Sequence, residues 1–227
     1  MIFSIITIFP ESFVSYFNTS ILKRAQEKGK IKIQTINPRD FTFDKHRKVD
    51  DIPYGGGPGM VMKAEPILKA IDSMDLNFNP PACGKNSKFI ILSPRGKQFT
   101  HAAARSWSAK YKSLILICGR YEGIDERVKK TLKADEISVG PYILSGGELA
   151  AMVVIEAVSR HILGVLGKKE SLEEYRSDND QVCGYPVYTR PEVVEYQGKK
   201  YRAPKVILSG NHKKIAEWRK SNRKWFT

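Results

Sequence analysis

Short apolar runs alternate with longer segments of helical periodicity along most of this chain. The first run, residues 2–9, alternates too little for a strand with one exposed face. It therefore indicates a strand covered on both faces, as in a parallel sheet. Similar runs begin at Ile31, Lys88, Ser113 and Glu136, and the helical segments are residues 20–27, 64–73, 100–110, 124–132 and 147–163. Strands that alternate with helices predict an α/β fold built on a parallel sheet.

The pattern changes after residue 163, where a polar, charged and weakly periodic stretch, GVLGKKESLEEYRSDNDQVCGYP, begins. We interpret residues 1–163 as one domain and residues 164–187 as a flexible interdomain linker. Residues 188–227 then form a small basic domain, which we expect to be mostly helical. A capped helix is predicted to begin there near Asn211.

The charge of the chain is strongly basic and unevenly spread. Lys and Arg number 38 against 24 Asp and Glu, a formal net charge of +14, and such an excess favours a polyanionic partner. A charge that served solubility alone would be spread evenly, but residues 199–227 hold ten basic residues and a single acid, Glu217. Trp218, Trp225 and Phe226 lie among them, which suits phosphate contact and base stacking, although Trp218 is equally suited to a core. Nucleic acid is therefore the first candidate partner.

Composition disfavours several other classes of protein. The three cysteines are too few and too far apart for a disulfide framework or a CxxC metal site, and they suit a reducing cytosol. The four histidines show no spacing typical of metal ligands, so no metal is assigned to them. The opening MIFSIITIFPE has no basic leader and resembles a buried strand more than a signal peptide. No apolar run is long enough to span a membrane, and we expect a cytoplasmic protein.

Three glycine-containing segments follow predicted strands directly. They are LSPRGK (residues 92–97), CGRYEGIDERV (118–128) and SVGPYILSGG (138–147). Because the carboxyl ends of parallel strands meet at one edge of a sheet, these segments predict a ligand pocket there. Neither GxxxxGK[ST] nor a GxGxxG between strand and helix occurs, so an ordinary nucleotide fingerprint is not supported. Arg120 and Glu122 have a simpler alternative role in surface ion pairs.

A fourth glycine segment, DDIPYGGGPGM (residues 50–60), lies in a long loop that starts near Pro38. Such a loop is more often functional than accidental in a compact domain. A flexible hinge is the plainer interpretation, but Pro53 and Pro58 stiffen the loop. A stiff glycine loop suits close approach of a planar base or a phosphate.

Several stretches, in a fixed order, carry a resemblance to a known family: FPESF, PRDFTFDKHRKVDDIPYGGGPGMVM, LSPRGK, CGRYEGIDERV, SVGPYILSGGE, YTRPE and LSGNH. Together they resemble the TrmD family, the bacterial tRNA (guanine-N1)-methyltransferases of the SPOUT superfamily, from Ile2 to about Arg219. The resemblance implies an α/β domain with a deep trefoil knot, an exception to the rule that chains do not thread loops. It also implies a homodimer with active sites between subunits, a linker that orders over the substrate, and a small tRNA-binding domain.

The activity that the resemblance implies is methylation of N1 of the guanosine immediately 3′ of the anticodon, with S-adenosylmethionine as methyl donor. Magnesium dependence is a further family expectation. The positions that match the family's cofactor site are Leu92, Ser93, Pro94, Gly119, Tyr121, Glu122, Val139, Gly140, Tyr142, Ile143, Leu144, Gly146 and Gly147. Those that match its tRNA site are Asp50, Tyr54, Gly55, Gly56, Gly57, Pro58, Gly59, Asn211 and His212. The glycines of the cofactor site are expected to lie against the cofactor, with no room for Cβ.

Methylation at guanine N1 needs a general base for the N1 proton and a cation for the charge that develops toward O6. Arg160 matches the family arginine at O6. The family carries an acid before Ser-Phe in the linker, but here the aligned residue is Tyr175, a poor base at neutral pH. Glu174 and Asp178 lie one and three residues away, and Glu174 is our first choice of base.

Two further positions depart from the family pattern: Pro141 and Gly184 stand where an acid is usual. These departures leave an alternative open, a homologue that binds S-adenosylmethionine and tRNA but has reduced or lost catalysis. A basic structural RNA-binding protein without a small ligand would explain the charge. It would not explain the three glycine segments after the strands.

Overall fold

The structure is a computed structural model that describes residues 1–74, 86–166 and 183–225. The chain divides into two compact units, Met1–Gly167 and Lys168–Thr227. The expected three-part division at residues 163 and 187 stays a prediction.

The first unit contains seven strands and six helices in its described residues. The strands are β1 (Ile2–Ile6), β2 (Lys32–Ile36), β3 (Asp50–Asp51), β4 (Val61–Met62), β5 (Ser87–Gln98), β6 (Ser113–Cys118) and β7 (Asp135–Ser138); the helices are α1 (Val14–Phe17), α2 (Ser20–Glu27), α3 (Ala64–Asp72), α4 (His101–Lys110), α5 (Glu126–Leu132) and α6 (Glu148–Ser159). Short 3₁₀ turns cover Pro10–Phe13 and Pro38–Phe41.

Five of these strands form one parallel sheet in the order β2-β1-β6-β5-β7. The predicted α/β fold with a parallel sheet is therefore confirmed. Strand β6 shows why the apolar runs lack alternation. Leu114 and Leu116 pack on one face with α2, α4 and α6, and Ile115 and Ile117 pack on the other with α3 and α5. Both faces are buried, so both sets of side chains must be apolar.

Several predicted boundaries were wrong, and local chemistry explains them. The first strand ends at Ile6 instead of residue 9, ahead of the turn that begins at Pro10. Helix α4 starts after Thr100 because the Thr100 hydroxyl accepts a hydrogen bond from the Ala103 N–H (3.2 Å). Asp125 caps α5 in the same way, at 2.9 Å from the Arg127 N–H. Helix α6 ends at Ser159, four residues before the predicted end.

Strand β5 continues to Gln98, well beyond its apolar run. Leu92 and Lys97 both lie opposite Ile137 of β7, so the four residues between them leave the ladder as a bulge. This bulge raises Ser93 and Pro94 at the carboxyl edge of the sheet. The apolar pattern could not predict it, because the register depends on pairing with β7.

The second unit mixes helix and strand. Its described residues form β8 (Cys183–Gly184), β9 (Val193–Tyr196), β10 (Lys199–Arg202), α7 (Lys205–Leu208), α8 (His212–Ser221) and β11 (Lys224–Trp225). The capped helix expected near Asn211 is α8, where the Asn211 side chain accepts from the Lys214 N–H at 3.1 Å. Strands β9 and β10 form an antiparallel hairpin that the sequence analysis did not predict. Across the described ranges, no helix is long and apolar enough to cross a membrane.

Candidate functional site

A cavity of about 250 Å³ lies at the carboxyl ends of β5, β6 and β7. Its walls are the β5 bulge, the segment after β6 and the segment between β7 and α6. These are the three glycine-containing segments that the sequence predicted to share one edge of the sheet. The structure brings them around one pocket.

Every position assigned to the cofactor site from the resemblance lines this cavity. They are Leu92, Ser93, Pro94, Gly119, Tyr121, Glu122, Val139, Gly140, Tyr142, Ile143, Leu144, Gly146 and Gly147. Arg95, Arg120, Asp125, Glu126, Lys129 and Glu136 add charged groups to the lining. That these residues bind a cofactor stays a prediction.

Part of the reason for the pocket's glycines lies in the protein's own packing, and that they also lie against a cofactor stays a prediction. A Cβ at Gly147 would lie 2.7 Å from the Cα of Cys118, and one at Gly140 or Gly146 would run into the Tyr142 ring or the Arg120 side chain. The Cys118 backbone therefore excludes a side chain at Gly147, whereas a side chain at Gly140 or Gly146 would require Tyr142 or Arg120 to move.

A buried ion pair lies beneath the pocket. Glu148, the first residue of α6, is buried, and its Oε2 accepts from Nε (3.1 Å) and Nη2 (3.0 Å) of Arg120. Its Oε1 accepts from the hydroxyl of buried Thr7 at 2.9 Å. Arg120 also donates to the carbonyl of Ser145 (3.1 Å) and packs over the Phe9 ring. The surface ion pair considered for Arg120 is thus wrong, because its carboxylate partner is Glu148 in the interior.

This cluster ties three distant parts of the chain together. Thr7 follows β1, Arg120 follows β6, and Ser145 belongs to the pocket wall. A buried ion pair holds both partners in one arrangement, because separating them would leave a charge that is buried and unpaired. Sequence reasoning missed Thr7; the only signal was its polar side chain inside the apolar run of residues 2–9, which also contains Ser4.

Cys118 lies at the base of the same region but has no nucleophilic role there. Burial raises the pKa of its thiol well above the usual value, and the Glu148 carboxylate raises it further. The thiol stays protonated at neutral pH, so Cys118 acts as a small apolar residue.

Glu136 marks the opposite wall of the pocket. It accepts from Lys129 Nζ (2.7 Å) and from Arg95 Nη2 (3.3 Å). The hydrogen bond from Lys129 holds the pKa of Glu136 below its ordinary value, with a smaller effect from Arg95. Residues from the β5 bulge, α5 and β7 are therefore joined at one ionised carboxylate.

The glycine loop of residues 50–60 joins the short antiparallel strands β3 and β4. Gly55, Gly56, Gly57 and Gly59 all have positive φ (86°, 77°, 117° and 82°), so the loop needs residues without Cβ. Tyr54 at its tip is almost fully exposed.

The glycine loop is attached directly to the pocket rim. The Glu122 N–H donates to the Met60 carbonyl (3.0 Å), and the Met62 N–H donates to the Gly123 carbonyl (2.9 Å). A Cβ at Gly59 would lie 2.6 Å from Glu122 Cγ. The loop assigned to tRNA and the pocket assigned to the cofactor, predicted separately, therefore meet at Glu122.

The remaining assigned residues lie elsewhere. Arg160 is partly buried at the C-terminal end of α6, where its N–H donates to the Glu156 carbonyl at 3.2 Å. Asn211 and His212 begin α8 in the second unit. Glu174 and Asp178, the two candidate bases, fall outside the described residues, as does Tyr175. Within the described ranges, no group of three or more His, Cys, Asp or Glu side chains could hold a metal ion.

Comparisons with known proteins agree over the whole chain. The family model described as tRNA (Guanine-1)-methyltransferase TrmD matches residues 1–227. A protein of Carboxydothermus hydrogenoformans is 54% identical over 216 residues, which are 95% of this chain and 80% of that protein. One of Caldanaerobacter subterraneus subsp. tengcongensis is 52% identical over 221 residues (97% and 86%), and one of Clostridioides difficile is 48% identical over 220 residues (97% and 91%). All three are named tRNA (guanine-N(1)-)-methyltransferase.

Proposed function

The chain belongs to the TrmD family of tRNA (guanine-N1)-methyltransferases, and we propose that it methylates N1 of the guanosine immediately 3′ of the anticodon. The enzyme class follows from family membership. The observation that carries the rest is the contact between the three-segment pocket and the glycine loop at Glu122. That contact joins a small-molecule cavity to a loop that accepts a planar base. Nothing in the comparisons favours a homologue that has lost catalysis.

The size and lining of the pocket support S-adenosylmethionine as its ligand. A cavity of about 250 Å³ suits one small molecule, and its lining combines apolar side chains with exposed backbone, as such sites usually do. The lining holds both acids and bases. Glu136 is already bound to Lys129 and Arg95, and Asp125 is paired with Arg127, so Glu122 is the acid that we propose complements a sulfonium cation. When bound, the cofactor supplies a methyl group already activated by that positive charge.

The protein's own task is to position the base and to manage a proton. The glycine loop takes the target guanosine with its N1 toward the pocket, because residues without Cβ allow a base to approach the backbone. Arg160 stabilises the charge that develops toward O6, and a linker acid, Glu174 or Asp178, accepts the N1 proton. The small basic domain, through Asn211 and His212 among others, holds the tRNA.

The trefoil knot belongs to the same proposal. Gly96 in the β5 bulge has its α-carbon so close to the backbone of Glu136 and Ile137 that a Cβ would collide with both, and a Cβ at Gly147 would collide with the Cys118 backbone. Close backbone approach between segments distant in sequence supports a knot in which these segments of the chain cross closely. The crossing segments are those that line the pocket, so the knot would shape the cofactor site.

A homodimer is supported by an apolar surface on the first unit. Val14 (57% exposed), Tyr16 (45%), Leu149 (61%) and Val153 (48%) present large side chains on α1 and α6. The two helices are neighbours, since the Glu156 carboxylate of α6 adds to burial in raising the pKa of Tyr16. An exposed apolar surface of this kind is typical of a protein–protein interface. Magnesium dependence and a cytoplasmic location remain family expectations.

Transfer of a labelled methyl group from S-adenosylmethionine to tRNA transcripts tests the proposal. We expect labelling of a transcript with guanosine 3′ of the anticodon and none of a matched transcript with adenosine there. Labelling of both transcripts would contradict the assigned target. Cofactor binding by calorimetry without transfer to either would support the catalytically inactive alternative.

Arg160 provides a sharper test of the chemistry. Arg160→Ala should lower the rate of methyl transfer by about 100-fold or more, the scale on which single electrostatic donors act. S-adenosylmethionine affinity should change little, because the proposed contact is to guanine O6. Equal losses of rate and cofactor affinity would refute the role. In parallel, Glu174→Gln should be much less active than Asp178→Asn, and the reverse order would move the base to Asp178.

A further inference from the structure

The β9–β10 hairpin has two chemically different faces. Tyr196 lies directly opposite Lys199, and Val194 lies opposite Tyr201. Gln197 and Gly198 form a two-residue turn with φ of 47° and 71°, the geometry of a tight hairpin turn. Opposite residues of an antiparallel pair point to the same side, so Val194, Tyr196, Lys199 and Tyr201 share one face. We call it the tyrosine face.

The tyrosine face is uncovered. Val194, Tyr196 and Tyr201 are 51%, 64% and 56% exposed, and Lys199 is exposed as well. The other face holds Glu195, Lys200 and Arg202, which are exposed, and Val193, which is half-buried. A two-stranded hairpin is marginally stable by itself, and exposed aromatic side chains that are grouped on one surface usually mark a binding site.

The charge around the hairpin selects the kind of partner. Residues 183–225 contain eleven Lys and Arg and three Glu, a formal net charge of +8. One of the acids, Glu192, is already paired with Arg202 at 2.6 Å. A second copy would bring its own basic residues 183–225, with the same charge of +8, against this hairpin, so charge disfavours a second copy here, unlike at the apolar surface on α1 and α6. A polyanion is favoured instead.

We propose that the tyrosine face is a stacking platform for an unpaired nucleotide of the tRNA, with Lys199 on the neighbouring phosphate. This inference rests on the proposed function and specifies how its basic unit holds the substrate. Tyr196 and Tyr201 are diagonal neighbours, a relation that places such residues about 7–8 Å apart. That spacing is about twice the 3.4 Å rise per base, which leaves room for one base between the rings. Flat aromatic side chains beside lysines are the usual means of binding single-stranded RNA.

The test uses the full-length protein and measures the Kd for the substrate tRNA transcript. Tyr196→Ala and Tyr201→Ala should each weaken binding about tenfold, while Tyr196→Phe and Tyr201→Phe should bind like the unaltered protein because the ring remains. Lys199 and Lys200 form a matched pair, since they are adjacent, exposed and on opposite faces. Lys199→Ala should weaken binding more than Lys200→Ala. It should also reduce the slope of log Kd against the logarithm of salt concentration by about one.

The readouts separate this proposal from its alternatives. S-adenosylmethionine binding and oligomeric state should be unchanged in every variant. If the alanine variants bind tRNA as tightly as the unaltered protein, or change oligomeric state instead, the tyrosine face does not bind RNA and the proposal falls. The lysine pair and the phenylalanine variants stay informative if an alanine variant unfolds the hairpin. Failure of the unaltered protein to bind or methylate the transcript would overturn the proposed function itself, and this inference with it.

Discussion

At the residue scale, the shape of the pocket depends on polar groups buried beneath it. Thr7 and Glu148 are 141 positions apart in the chain, yet their side chains are joined by one hydrogen bond. Glu148 in turn fixes Arg120, which reaches Ser145 in the pocket wall. No local pattern predicts such a contact, because periodicity reports which face of an element is buried and not which distant residue it meets.

Replacing Thr7 by Val keeps the size of the side chain and removes the donor to Glu148. Loss of one partner from a buried polar group costs about 1–3 kcal/mol of folding free energy. We expect a lower midpoint of thermal unfolding and, because Arg120 is less firmly held, weaker S-adenosylmethionine binding by calorimetry. Thr7→Ser keeps the hydroxyl and should behave like the unaltered protein. Similar losses in both variants would show that the hydroxyl is unimportant.

The glycine loop offers a second test at this scale. Gly59→Ala adds a Cβ 2.6 Å from Glu122 Cγ at a residue with φ of 82°. Gly56→Ala is a matched control, since Gly56 has a similar φ of 77° but nothing within 4 Å of the added Cβ. Both variants bear about 1–2 kcal/mol of backbone strain, but only the first displaces Glu122. We expect methyl transfer to fall further in Gly59→Ala, and equal rates would contradict a role for the Glu122 contact.

At the element scale, the sequence predicted the strands of the parallel sheet better than it predicted the β5 bulge or the β9–β10 hairpin. Residues 114–117 are apolar on both faces because helices cover both sides of β6. The resulting continuous apolar run predicts a buried strand. The β5 bulge leaves no such signal, since Leu92 and Lys97 both pair with Ile137 only in the folded sheet. The β9–β10 hairpin was also missed, because its strands hold exposed residues on both faces and therefore lack apolar alternation.

The connection between α5 and β7 gives a pH prediction. Lys129 and Arg95 hold the pKa of Glu136 below its ordinary value of 4.5. A depressed carboxyl pKa stabilises the fold at pH values above 4.5, and this stabilisation is lost as the pH falls through the lower, folded-state value. Lys129→Met should therefore lower the urea midpoint of unfolding at neutral pH, with a difference from the unaltered protein that shrinks below pH 4.5. A constant difference across this range would show that lost packing, and not charge, is responsible.

At the scale of the whole molecule, the pocket, glycine loop and Arg160 lie in the first unit, whereas Asn211, His212 and the tyrosine face lie in the second. The chain therefore separates its proposed chemistry from much of its proposed RNA binding. The sequence predicted this separation of roles, because apolar periodicity is concentrated before residue 163 and basic charge after residue 199. The proposed subunit interface leaves no such trace in one sequence. The sequence does not predict that α1 and α6 are neighbours, so only the structure shows their exposed apolar side chains together.

That apolar surface gives the last prediction. Leu149→Glu places a charge on the surface, and an unpaired charge at a buried interface is strongly unfavourable. We expect the variant to sediment as a monomer where the unaltered protein sediments as a dimer, and to lose methyl transfer because the proposed active site needs both subunits. Leu149→Ala, which removes apolar area without adding charge, should weaken the dimer only in part. A Leu149→Glu variant with unchanged sedimentation would show that this surface is not the interface, whatever its activity.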